Sequence, residues 1–175
     1  MLGHARMSSV YERELKGILA GEEALILKSI KTCSPDEQAS YLKARQKPFL
    51  VVRGAGSLGV DLVALRGDVS FPIEVKSASS DVIRFADGSK RNQEQAEAMQ
   101  KECSRASVIP LYAFRRKGVR GDSWRIHTLP TEGLPPRIHM LYERIPKVET
   151  TEAGNYVLRW GNGLPLSKFV EYLCG

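Results

Sequence analysis

Residues 59–77, GVDLVALRGDVSFPIEVKS, predict a β-hairpin that carries charge where buried strands usually carry none. Asp61 stands at the entrance of the first apolar run, and Glu74 and Lys76 lie in the second. An unpaired ion taken out of water costs roughly several kcal/mol. Any fold of this chain must therefore bring partners to these three side chains.

The alternation of a β-strand predicts how the three charges are arranged. Residues two apart point to the same face, so Glu74 and Lys76 project together while Ile73 and Val75 face the core. If the two strands pair across the turn, Asp61 comes close to Glu74. Two neighbouring carboxylates repel unless one is protonated or a cation bridges them.

Magnesium is the cation that this set of oxygens favours. One Asp, one Glu and a nearby backbone carbonyl, that of Ile73 or Val75, suit a hard ion that keeps several waters; Mn²⁺ is the alternative ion. Lys76 would then orient an attacking water or stabilise charge on a phosphate. Two structural readings stay open: Glu74 and Lys76 as a surface ion pair worth under about 1 kcal/mol, and Asp61 as a strand cap.

Net charge favours a nucleic-acid partner. The 175 residues carry 26 Lys and Arg against 20 Asp and Glu, a formal charge of +6, and a basic surplus of this size suits phosphate binding. The run Arg115, Arg116, Lys117 concentrates part of it. These residues are candidate DNA contacts, and a solvated loop is the structural alternative.

Three scattered cysteines argue against a disulfide framework and a zinc site. The N-terminus has no apolar signal region, and the apolar runs are too short to span a bilayer. We therefore expect an intracellular, cytoplasmic protein without a membrane contact or a small-molecule cofactor. A cellular and a viral origin both stay open.

Hydrophobic periodicity predicts helices, then three strands, a helix and two strands. Ser34-Pro35-Asp36-Glu37 has the residues of a helix capping box, and Pro72 predicts a strand start or an exposed edge. The remaining segment is rich in proline, and we expect it to pack on the core as a C-terminal extension, residues 130–175. The predicted ranges are helices at 9–20, 22–31, 35–46 and 92–105, and strands at 49–52, 61–65, 71–76, 82–85, 108–114 and 124–129.

The pattern Asp61, twelve residues, Glu74-Val75-Lys76 resembles the D…(D/E)-x-K signature of the PD-(D/E)XK nuclease superfamily. The predicted order of elements is similar to that superfamily's αβββαβ core. The resemblance implies a restriction-endonuclease-like α/β fold with a mixed central sheet flanked by helices. Val60 stands where the superfamily usually has a proline before the Asp.

The flanking motifs resemble those of archaeal-type Holliday junction resolvases. YEREL, VVR, VDLVA, IEVK, IPLYA and WR occur in that family's order, over residues 8–129. Residues 22–47 look like an insertion into this nuclease core, between its first helix and first strand. Beyond about residue 130 no counterpart is placed.

The resemblance implies roles for several individual residues. Glu12, Asp61, Glu74 and Lys76 match active-site positions, with Asp61, Glu74 and Val75 at the metal. Arg53 and Ser57 match positions around the scissile phosphate, Arg13 a DNA-contacting arginine, and Gln93 a supporting polar position. The structural alternatives are a capping box of Ser9 with Glu12, a solvated strand end at Arg53 and a turn former at Ser57.

The resemblance therefore implies a magnesium-dependent endonuclease that resolves four-way DNA junctions. Two symmetric cuts on branched DNA favour a two-fold homodimer. Two other functions stay open: a nuclease of the same superfamily that acts on ordinary duplex in restriction or repair, and a nucleic-acid-binding module that keeps the fold without catalysis.

Overall fold

The computed structural model describes the backbone of residues 2–55 and 57–175 and the side chains of residues 9–55 and 58–175. Helices precede, separate and follow the strands, in this order: α1 (Leu2–Leu19), α2 (Glu23–Ser29), α3 (Pro35–Leu42), β1 (Leu50–Arg53), β2 (Leu62–Arg66), β3 (Val69–Ala78), β4 (Val82–Arg84), α4 (Arg91–Ala106), β5 (Leu111–Arg116), β6 (Trp124–Thr128), α5 (Pro136–Glu143), β7 (Glu149–Thr150), β8 (Tyr156–Arg159), β9 (Leu164–Pro165) and α6 (Leu166–Cys174).

Six strands form one mixed sheet in the order β1-β2-β3-β5-β6-β9. The pairs β1–β2, β2–β3 and β5–β6 are antiparallel. β3 and β5 are parallel, and parallel neighbours need a long crossover, which here includes α4. The predicted αβββαβ order and the mixed sheet flanked by helices are confirmed, with α2 and α3 between the first helix and the first strand.

The two faces of this sheet belong to separate hydrophobic clusters. The face with Ile73 and Val75 packs against four helices, which contribute Leu15 and Ile18 (α1), Ile26 (α2), Tyr41 (α3), and Phe169 and Val170 (α6). The opposite face, at Tyr112 and Phe114, packs against α4 and a three-stranded sheet ordered β4-β8-β7. Each large apolar side chain buried in this way contributes roughly 1.5–3 kcal/mol.

The capping box predicted for α3 is present. Ser34 Oγ accepts a hydrogen bond from the Glu37 N–H at 3.3 Å, and Glu37 Oε2 accepts one from the Ser34 N–H at 2.8 Å. The capping box considered for Ser9 and Glu12 does not form a helix start, because α1 begins at Leu2. Ser9 therefore lies inside α1.

Pro72 lies inside β3 instead of at the strand's first residues. It pairs with Val63 of β2, whereas the pairing of β3 with β5 begins only at Ile73. At Pro72 the strand therefore has a neighbour on one side only, and a residue without an N–H is tolerated there.

The segment after residue 129 packs on the sheet. The Phe169 ring of α6 lies 5.6 Å from the Phe71 ring of β3. The Phe85 N–H, directly after β4, donates to the Tyr156 carbonyl of β8 at 3.0 Å. In the described part of the chain, no helix has the length and apolar character to cross a membrane.

Candidate active site

Asp61, Glu74 and Lys76 come together where β2 begins and β3 runs through the sheet. Asp61 Oδ2 accepts a hydrogen bond from the Val75 N–H at 2.7 Å. Lys76 Nζ lies 2.9 Å from Glu74 Oε1, and their side chains are only 18% and 11% exposed. Ile73 and Val75 are buried on the opposite face, as the alternation predicts. The ion pair is thus not a surface pair.

Glu74 is buried and only half satisfied. Among the described residues, its Oε2 has no hydrogen-bond partner, a situation that costs about 1–3 kcal/mol for a buried acceptor. Burial raises the pKa of Glu74 to about 7, with the positive charge of Lys76 opposing the rise and the negative charge of Asp61 adding to it. The site therefore holds an acid that ionises near neutral pH.

Asp61 is also harder to ionise than a free aspartic acid. Burial raises its pKa, the hydrogen bond from Val75 lowers it, and the charge of Glu12 raises it again. Glu12 on α1 is therefore close enough to act electrostatically on Asp61. The structure brings a third carboxylate to the neighbourhood that the motif predicts.

The donor set fits a hard divalent cation. The Oε2 of Glu74 has no donor among the described residues, and it lies beside a second carboxylate, that of Asp61, with which Glu74 shares a hydrogen bond when it is protonated. Within residues 9–55 and 58–175, whose side chains are described, no group of three or more His, Cys, Asp or Glu side chains is arranged to hold a metal ion by itself. Two carboxylates with waters completing the shell is an arrangement that Mg²⁺ tolerates.

Two backbone groups of β3 near the site are already hydrogen-bonded to Asp61. Val75 donates its N–H to Asp61, and the Ile73 carbonyl accepts the Asp61 N–H at 2.9 Å. Val75 therefore contacts the predicted metal ligand through its N–H. Its role as a carbonyl ligand stays a prediction.

Two groups that the sequence analysis missed line this site. Asn92 Oδ1, in the first turn of α4, accepts from Lys76 Nζ at 3.2 Å. Gly59 has φ +72°, and a Cβ there would lie 3.3 Å from Glu74 Oε2 and 3.4 Å from the Gln95 side chain. Neither residue belongs to a sequence motif. Their place at the site follows from the packing of α4 against the turn at residues 57–59.

Gln93, predicted as a supporting residue, contacts the C-terminal segment. Its Oε1 accepts the Tyr156 N–H at 2.7 Å, and its Nε2 donates to Glu97 Oε1 at 2.9 Å and to the Gly154 carbonyl at 3.3 Å. These bonds join α4 to β8. Its supporting role at the site stays a prediction.

The predicted phosphate-contacting residues lie on β1, on α1 and in the turn before Asp61. Arg53 is exposed at the end of β1 and pairs with Leu62, the residue after Asp61. Arg13 is exposed on α1. Ser57 begins the turn that leads to Asp61, and its side chain lies outside the described residues.

The basic run Arg115, Arg116, Lys117 lies at the end of β5 and makes more contacts than a solvated loop would. Arg115 Nε lies 3.3 Å from Glu14 Oε1, and its guanidinium stands 5.0 Å from the Tyr11 ring centre. Arg116 lies over the Trp160 ring at 5.5 Å, and Lys117 lies 6.0 Å from the Tyr11 ring centre. All three are half-buried, and the contacts hold them against α1 and the C-terminal segment.

Comparisons with known proteins assign the chain to a family. A family model described as archaeal Holliday junction resolvase (Hjc) matches residues 37–174, most of the chain. The match includes β2, β3 and the segment beyond residue 130, and it does not include α1.

No curated protein matches the chain. Among solved structures, the chain is similar to Hjc of Archaeoglobus fulgidus, a Holliday junction resolvase from an archaeal hyperthermophile, with 19% identity over 70% of this chain and 82% of that one and a TM-score of 0.47. On the strength of the family model, this chain belongs to the archaeal Holliday junction resolvases.

Proposed function

We propose that this protein is a magnesium-dependent endonuclease that resolves four-way DNA junctions by paired phosphodiester cleavage. Family membership supplies the substrate class. The observation that carries the catalytic part of the proposal is the buried, unsatisfied Oε2 of Glu74 beside Asp61 and Lys76. A fold that kept no activity would have little reason to maintain a buried acceptor without a donor.

Asp61 and Glu74 would hold the divalent cation, with Mn²⁺ able to take the place of Mg²⁺. When bound, such an ion lowers the pKa of a water and neutralises charge on the reacting phosphate. The Val75 N–H fixes the carboxylate of Asp61. Glu12 would act at the edge of the same site, directly or through water.

Lys76 is the proposed charge-stabilising and water-orienting group. Glu74 and Asn92 hold its ammonium at 2.9 and 3.2 Å, so the donor is already oriented before a phosphate arrives. Preorganised donors of this kind stabilise charge that develops in a transition state. Arg53, Arg13 and Ser57 would hold the flanking phosphates.

We further propose that the active unit is a two-fold homodimer, since resolution requires cuts on two opposing strands. An exposed apolar face beside the site supports this. Leu50 and Val52 of β1 are 66% and 42% exposed, and Leu65 of β2 is 39% exposed. They point to the same side as Val63, because Leu50 pairs with Leu65 and Val52 with Val63. Association with a second copy would remove these exposed apolar side chains from water.

The experiment that tests the proposal is a parallel digest of a fixed four-way junction and a linear duplex of the same sequence. We expect symmetric nicks in opposing strands of the junction with Mg²⁺, and no comparable cutting of the duplex. Equal cutting of both substrates would instead support a duplex nuclease of restriction or repair type.

A non-catalytic module makes a different prediction for the metal itself. Calorimetric titration with Mg²⁺ in the absence of DNA should give heat of binding that Glu74→Gln abolishes. Absence of binding by the wild-type protein, together with tight junction binding and no cleavage, would favour the module.

A further inference from the structure

We propose that the cleft between α1 and α2 is a second phosphate-binding site, with Lys28 and Lys31 as its DNA contacts; this inference rests on the proposed function. One wall of the cleft consists of α1 residues, including Arg13 and Glu14. The other wall is formed by α2 and the turn after it, where Lys28 and Lys31 lie, and Arg115 of β5 closes the cleft.

Unbalanced positive charge is the first observation. Arg13, Lys28 and Lys31 are exposed, and none of the three has an ion-pair partner among the described residues. Glu14 is the acid that lines the cleft. Its Oε1 already accepts from Arg115 Nε at 3.3 Å and from Trp124 Nε1 at 2.8 Å. The cleft therefore presents three cations that have no ion-pair partner within residues 9–55 and 58–175, together with an acid that is already engaged.

Position is the second observation. Arg13 follows Glu12 on α1, and the charge of Glu12 acts on Asp61. The turn after α2 is tied to the β5–β6 loop, because Thr32 Oγ1 accepts the Gly121 N–H at 2.8 Å. That loop carries Lys117 and the exposed Arg120. The cations of the cleft thus adjoin those of the β5–β6 loop.

The chemistry of the cleft favours a nucleic-acid backbone over an acidic protein. Protein interfaces are centred on buried aromatic or aliphatic anchors, whereas the cleft has polar and charged side chains with Val10 and Leu25 as its apolar members. A strand of evenly spaced phosphates matches separated cations. We therefore assign the cleft to an arm of the junction outside the cleavage point.

The test is the salt dependence of junction binding by Lys28→Gln/Lys31→Gln. Each lost phosphate contact removes about 0.9 from the slope of log affinity against log salt, so we expect the slope to fall in magnitude by about 2 and the affinity at low salt to fall by roughly tenfold or more. The rate of cleavage at saturating enzyme should stay within about twofold of wild type. Single variants should each remove about half of the change in slope.

The matched control is Lys101→Gln/Lys47→Gln, which removes the same charge from exposed positions on α4 and shortly before β1, where the lysines likewise have no ion-pair partner among the described residues. If both double variants bind the junction alike while the wild type cuts it, the cleft is not a DNA site and the proposed function stands. If the wild type neither binds nor cuts the junction, the proposed function itself fails. Unchanged junction binding with lost binding to polyglutamate would assign the cleft to an acidic protein and overturn the inference.

Discussion

Glu74 combines deep burial with incomplete pairing, and this combination sets its chemistry. Lys76 reaches one of its carboxylate oxygens at 2.9 Å, while the other oxygen has no hydrogen-bond partner among the described residues. The nearby charge of Asp61 adds to the cost of ionisation. Without a cation, the folded state therefore favours the protonated form of Glu74.

This preference predicts how stability depends on pH. Because the folded-state pKa of Glu74 is raised from 4.5 to about 7, its contribution to stability is present below pH 4.5 and is lost as pH rises through about 7. Chemical denaturation in EDTA should show the free energy of unfolding falling across this window by at most about 1.4 kcal/mol per pH unit. In Glu74→Gln the fall should be smaller.

A divalent cation should reverse the effect, because it binds the ionised carboxylate. At pH 7.5, Mg²⁺ should raise the midpoint of thermal unfolding of the wild type and leave that of Glu74→Gln unchanged. Identical Mg²⁺ responses in the two proteins would contradict the assignment of Glu74 as a ligand.

Asn92 is a proposed positioning residue, because it contacts the site through Lys76. Asn92→Ala removes the 3.2 Å acceptor of the Lys76 ammonium. We expect kcat for junction cleavage to fall by about 10- to 100-fold with little change in KM, since orientation of the charged donor is lost and binding is not. Asn92→Asp, which retains an acceptor oxygen, should recover much of the rate. An unchanged kcat in Asn92→Ala would show that Glu74 alone suffices to place the ammonium.

At the scale of elements, the hairpin was predictable and its surroundings were not. Alternation within residues 71–76 placed Glu74 and Lys76 on one face, because a strand has a fixed period of two. Asn92 and Gly59 escaped prediction because their contacts depend on where α4 docks. The position of Pro72 within β3 also depends on tertiary structure. Proline is tolerated there because the pairing of β3 with β5 begins one residue later, at Ile73.

Gln93 shows what a local motif cannot reveal. Its predicted support of the site depended on its place at the start of α4, the helix that follows the strand with Glu74 and Lys76. Its amide contacts Gly154 and Tyr156, which lie about sixty residues further along the chain, and its support of the site stays a prediction. The contact between α4 and β8 has no short-range signal in the sequence.

We therefore expect Gln93→Ala to act on stability. It removes the acceptor of the buried Tyr156 N–H at 2.7 Å, which should lower the free energy of unfolding by about 1–3 kcal/mol. Cleavage per folded molecule should stay within about twofold of wild type. The control is Glu94→Ala at the exposed neighbouring position, with denaturant unfolding and cleavage rate measured in parallel. A large loss of cleavage with normal stability would instead support the catalytic role that the sequence predicted.

At the scale of the whole molecule, one sheet carries the core, the site and the exposed apolar face. The segments expected as an insertion and an extension complete the core, since α2, α3 and α6 share one hydrophobic cluster with β3. The apolar residues of β1 and β2 stay uncovered on the side of the sheet that carries Glu74. Composition alone could not predict that this part of the sheet stays uncovered, because the exposure depends on which strands the helices cover.

The proposed homodimer is testable through this face. Leu50→Lys/Leu65→Lys places two charges on paired positions of the exposed surface, where a second copy would have to desolvate them. Light scattering should show a dimer for the wild type and a monomer for the variant, with paired cutting reduced to single nicks. Leu27→Lys, at an exposed position on α2, is the control. A variant that stays dimeric would place the interface elsewhere.

The most direct test of the account separates binding from cleavage at the carboxylates. Asp61→Asn and Glu74→Gln change oxygen ligands without changing shape, so both should bind a fixed four-way junction with affinity near that of the wild type. With Mg²⁺, their cleavage rates should fall by about 10³-fold or more, because an uncharged amide neither holds the cation nor maintains the charge balance around Lys76. Cleavage by either variant at the wild-type rate would contradict the assignment of this site.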